Sequence, residues 1–111
     1  MIPWLVAAGV GVFLAAAFWD ELVDFFKSLT QKIAELFVGI GHAAKIFAQR
    51  VARKIHRVLH VLFYKEDEKW IKETTRAEVD ESEVPEWAKA GVGEYEKDVT
   101  DTYKQKMQLT L

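Results

Sequence analysis

A mainly α-helical chain held in a membrane is what the sequence predicts, and three patterns predict it. Residues 2–19 carry no charge, apolar side chains recur every three or four positions from Leu22 onward, and charge divides unevenly along the chain. The expected architecture is an N-terminal membrane-spanning helix, a long amphipathic helix bent near Gly39 and Gly41, and a small α+β C-terminal module with a hairpin and two short helices. Three segments follow: residues 1–20 as anchor, 21–62 as the amphipathic region, basic from 42, and 63–111 as an acidic polar module.

The anchor is predicted from length and flanks. Eighteen uncharged residues, IPWLVAAGVGVFLAAAFW, would span roughly 27 Å as a helix, close to the thickness of a bilayer's hydrocarbon core. Trp4 and Trp19 stand near its two ends, where amphipathic indoles favour the headgroup level, and Asp20 and Glu21 close the run. Ala7, Gly11 and Ala15 recur every four residues, a small-residue stripe that lets two helix backbones approach in lipid and predicts self-association. Lys27 and Lys32 follow the run and nothing basic precedes it, which orients the C-terminus toward the cytoplasm of a cell membrane. Two other fates compete. Ala15-Ala16-Ala17 resembles a signal-peptidase site, which would make the product secreted, although the basic n-region is missing. Alternatively, a larger complex shelters the segment and the chain is soluble within it.

The amphipathic region is predicted from period. Apolar residues at 22, 26, 29, 33, 36, 40, 44, 47, 51, 55, 58 and 62 follow helical spacing without a failure. Gly39 and Gly41 interrupt it, and two glycines cost roughly 2 kcal/mol in a helix interior, so a bend or tight helix packing is expected there. Residues 42–60 hold Lys45, Arg50, Arg53, Lys54 and Arg57 and no acidic residue. As a basic amphipathic helix this stretch is expected to bind an anionic surface, with lipid headgroups favoured over an acidic partner. Nucleic acid is not expected, because no aromatic platform interleaves with these charges.

The C-terminal module is acidic: thirteen acidic against eight basic residues after Tyr64, compared with four against seven before it. The stretches VLFY and WIKETT, separated by KEDEK, read as a hairpin around a charged turn. Pro85 and Gly91 bracket a two-turn helix, and Asp98 or Thr100 can cap a last one. Trp70, Trp87, Tyr95 and Tyr103 are expected to form a small core or a surface for a partner.

Chemistry is not expected. The chain has no cysteine, which removes thiolate metal sites, Cys nucleophiles and disulfides. His56 and His60 would share a helical face, but they make only half a metal site and read as ordinary surface histidines, so neither metal nor cofactor is expected. No nucleophile lies beside an oriented base. The expected function is therefore a non-enzymatic, membrane-anchored assembly or adaptor protein whose C-terminal module docks a protein, with the bilayer and a second copy or other protein as partners. The alternatives are a membrane-perturbing effector, such as a toxin, a holin-like protein or a phage-defence pore component, and a soluble helical subunit of a larger complex.

Overall fold

The computed structural model describes residues 12–16, 18–39 and 41–110, and it is an α+β fold, not a mainly α one. The element order is β1 (Val12–Ala16), α1 (Trp19–Leu36), β2 (His42–Ala52), β3 (Ile55–Glu66) and β4 (Lys69–Asp80), followed by a 3-10 turn (Glu81–Glu83). The chain then continues through α2 (Glu86–Lys89), β5 (Lys97–Asp98) and α3 (Thr100–Met107). One sheet joins the strands in the order β1-β4-β3-β2-β5, with β1 parallel to β4 and the other pairs antiparallel.

The predicted membrane anchor is corrected here. Val12–Ala16 pair with Thr75–Val79 as a strand, Trp19 opens α1 as a buried residue, and no helix among the described residues is long and apolar enough to cross a membrane. A short apolar run bounded by breaks reads identically whether it becomes a strand or a helix, because periodicity cannot separate them. The membrane placement with a cytoplasmic C-terminus, and the description as a single-pass or pore-forming membrane protein, lose their basis with that helix. Trp19 is a core residue, not an interface anchor. Ala15 pairs with Glu78 in a strand. Trp4, Ala7 and Gly11 lie outside the described residues.

The long amphipathic helix is corrected as well, for it stops at Leu36. Within α1, Leu22, Phe26, Leu29 and Ile33 form one buried stripe, joined by Thr30, whose hydroxyl donates to the Phe26 carbonyl at 2.9 Å. Asp20 and Glu21 place negative charge on the first turn, where it complements the helix dipole. Gly39, at φ +76°, takes the chain out of the helix toward β2 in a conformation that side chains disfavour. Neither Gly39 nor Gly41 approaches a neighbour, so the predicted tight helix packing is absent.

Beyond that turn the chain is strand. The β3–β4 turn holds Asp67 and Glu68 at φ +50° and +67°, the paired left-handed geometry that suits a two-residue hairpin loop. Even-numbered residues of β2 and β3 and odd-numbered residues of β4 face α1. On that side Ile46, Ala48, Val58, Leu62, Ala77 and Val79 meet the helix stripe. The helices after β4 close one end of this core, where the Trp19 ring stands edge-on to Trp87 at 5.9 Å, Tyr103 at 6.1 Å and His56 at 6.5 Å.

Candidate functional site

The five basic residues singled out from the sequence fall on one hairpin. β2 and β3 turn at Arg53-Lys54, with Lys54 at φ +69°, and the register slips between Arg50 and Ala52. A bulge of this kind bends its strand and re-aims the side chains around it. Two backbone bonds fix the tip: Arg50 N–H donates to the Gly93 carbonyl at 2.8 Å, and Glu81 N–H donates to the Lys54 carbonyl at 2.7 Å. The result is an open cleft of about 840 Å³ at the hairpin end, lined by Arg50, Arg53, Lys54 and Arg57 against Glu81 and Glu94. Arg57 is oriented by Glu78, whose Oε2 accepts from Nη2 at 2.6 Å and from Nε at 2.7 Å. Arg53 and Lys54 are exposed at the turn, so the charge there faces solvent.

Lys45 is not part of this cleft. It stands further along β2, 3.5 Å from Asp98, beside a second hollow of about 400 Å³ that Asp98 and Thr100 also line. Hydrogen bonds from the Thr100 side chain and backbone hold the Asp98 carboxyl below its ordinary range, and Lys45 adds to the effect. Asp98 thus ties down Thr100, the first residue of α3, and anchors Lys45.

The four C-terminal aromatics divide. Tyr103 is fully buried, and Trp87 packs on it at 5.3 Å between ring centroids. Trp70 and Tyr95 are exposed, by 68 % and 85 %.

The two histidines expected at the surface are both interior, at 2 % and 1 % exposure. Each points from β3 toward the helical side. His56 Nε2 lies 3.3 Å from the Tyr103 hydroxyl, which also donates to the Ala88 carbonyl at 3.4 Å. Burial lowers the His56 pKa below its ordinary value and raises that of Tyr103 well above its own, so this pair is neutral. His60 lies beneath the Phe26 ring at 6.2 Å, and burial lowers its pKa to about 4. Its Nε2 has no hydrogen-bond partner. A neutral imidazole and phenol sealed from solvent have no route to a substrate, and among the described residues no group of three or more His, Cys, Asp or Glu could hold a metal ion.

The helical reading also hid a second surface. Odd-numbered residues of β3 and even-numbered residues of β4 face away from α1, and they place Phe63 and Trp70 beside Lys65 and Lys72, with Arg76 further along β4 opposite Leu59. The signal for it was the alternation in 69–80, where Ile71, Thr75, Ala77 and Val79 alternate with Lys72, Thr74, Arg76 and Glu78.

No protein-family model matches the chain, and neither a curated protein nor a solved structure is significantly similar to it.

Proposed function

We propose that this protein is a non-enzymatic docking module that recognises a polyanionic partner through its β2–β3 hairpin. The observation that carries the reading is the gathering of Arg50, Arg53, Lys54 and Arg57 around one open cleft, in a chain whose net charge is −2. An acidic protein overall has no general affinity for polyanions, so a local excess of cations supplies attraction at one place and repulsion elsewhere. Arginine suits the task, because its planar fork binds carboxylate, sulfate and phosphate oxygens in pairs. Glu81 and Glu94 in the lining repel an incoming anion from their side of the cleft and so bias its orientation toward the cations.

Heparin resin supplies the test, since it offers dense sulfate and no aromatic group. The wild-type chain is retained at low salt and elutes as salt rises. Reversing Arg53 and Lys54 to glutamate moves elution to much lower salt, whereas reversing the exposed Lys104 and Lys106 on α3 has little effect. Equal shifts from the two double variants would mean that net charge alone governs retention, and the hairpin would lose its assigned role.

A further inference from the structure

The outer face of the sheet carries a second, chemically distinct pattern. Pairing opposes Phe47 to Leu59, Phe63 to Lys72 and Lys65 to Trp70, so these side chains share the face that α1 does not cover. Along the central strand β3 that face reads Leu59, Val61, Phe63. Val61 is buried yet stands outside the core cluster under α1, which gives the outer face an apolar floor of its own. Phe63 is half-buried, and Trp70 lies diagonally across from it with 68 % of its surface exposed.

Cations flank this apolar strip on both sides. Lys45 opposes Val61 from β2, while Lys72 and Arg76 oppose Phe63 and Leu59 from β4. Acids stand at the margins of this face: Glu78 and Asp80 at the end of β4, where Arg57 pairs with Glu78, and Asp98 opposite Phe47 on β5, 3.5 Å from Lys45. Aromatic rings in a row bordered by positive charge match a polymer whose own rings alternate with negative charge.

We propose that this outer sheet face binds single-stranded nucleic acid, with Trp70, Phe63 and Phe47 as stacking surfaces for bases and the flanking lysine and arginine side chains on the phosphates. The proposal rests on the polyanion reading of the hairpin, which continues the cationic border at the Arg57 end of β3. It departs from the sequence expectation about nucleic acid for a structural reason. That expectation found no aromatic platform interleaved with the charges of residues 42–60, whereas strand pairing brings aromatic and basic residues of β2, β3 and β4 to one face. An acidic protein segment would satisfy the cations but would leave Trp70 and Phe63 without ring partners. Every base has a π-face, so stacking accepts a strand of any sequence.

The test is fluorescence anisotropy of the full chain with a labelled oligothymidylate of about 16 nucleotides, near the upper site size of a single stacking domain. The expected result is binding that weakens steeply between about 50 mM and about 200 mM salt. Trp70→Ala weakens it about tenfold, the loss of one stacked base. Lys72→Glu weakens it too and makes it less salt-dependent. Heparin retention of Trp70→Ala is unchanged, which shows the variant folded and separates stacking from charge. Heparin retention without oligonucleotide binding would overturn the nucleic-acid assignment and leave the polyanion reading standing, with an acidic protein as the remaining partner. Loss of both would remove both. Oligonucleotide binding that is indifferent to Trp70→Ala would overturn the stacking surface.

Discussion

Replacing His60 with leucine flattens the acid limb of this protein's stability profile. His60 sits on the inner face of β3, opposite Ile46 on β2 and Thr75 on β4 and under Phe26 of α1, and its Nε2 is unpartnered. Burial outweighs a backbone hydrogen bond that favours the imidazolium, and it lowers the pKa from 6.5 to about 4. The folded state therefore resists a proton that the unfolded state accepts. Stability from this group is complete above about pH 6.5, declines as pH falls toward 4, and declines no further below it. At about 1.36 kcal/mol per pH unit the full loss is on the order of 3 kcal/mol, of which about 2 kcal/mol has gone by pH 5. That is a large share of the 5–15 kcal/mol typical of a domain. Burial depresses His56 in the same direction, so the wild-type loss is larger still. Urea denaturation followed by circular dichroism, at about pH 7.5 and about pH 5, measures the difference. His60→Leu is at least as stable as wild type at the higher pH, since it removes a buried polar atom with no partner. It then loses about 2 kcal/mol less on acidification. Parallel losses in the two proteins would refute the reasoning, because every other titrating group is common to both.

Two further substitutions probe the fold. Tyr103→Phe keeps the ring contacts with Trp19 and Trp87 but strips the hydroxyl from His56 and the Ala88 carbonyl. It costs about 1–2 kcal/mol in urea denaturation, and no cost would mean these hydrogen bonds contribute nothing. Gly39→Ala costs about 1 kcal/mol because φ is +76°, whereas Gly41→Ala, with open space around it, is close to neutral. Thermal midpoints of the two variants, measured side by side, decide it.

What could be read from the sequence was what local chemistry determines. The spacing of Leu22, Phe26, Leu29 and Ile33 marks the buried stripe of α1, and the charged residues before Lys69 mark the β3–β4 turn. Strand identity in 42–66 was hidden by Phe47, Leu59, Val61 and Phe63. These outward residues are apolar like their inward neighbours, so the alternation of two is blurred, and a spacing of three and four can be picked from the mixture. The first residues misled differently. Val12–Ala16 form a parallel strand at the sheet edge, and apolar composition alone does not distinguish that from a membrane span. Both buried histidines were illegible because only the register places them between α1 and the neighbouring strands.

The side chains that concealed the strands also constrain what the sheet can meet. An apolar strip left open on a sheet invites a second copy, and face-to-face pairing is the simplest symmetric way to cover it. Here that arrangement would bring Lys45, Arg57, Lys65, Lys72 and Arg76 of one copy against the same five of another, with Glu78, Asp80 and Asp98 in each to offset part of that charge. Like charges held at close range in a drying interface oppose association strongly. The border that repels a copy attracts a polyanion, and it does so without closing off the rings between its cations. A face that is both apolar and cationic thus selects against itself and in favour of a ligand carrying flat rings and negative charge together.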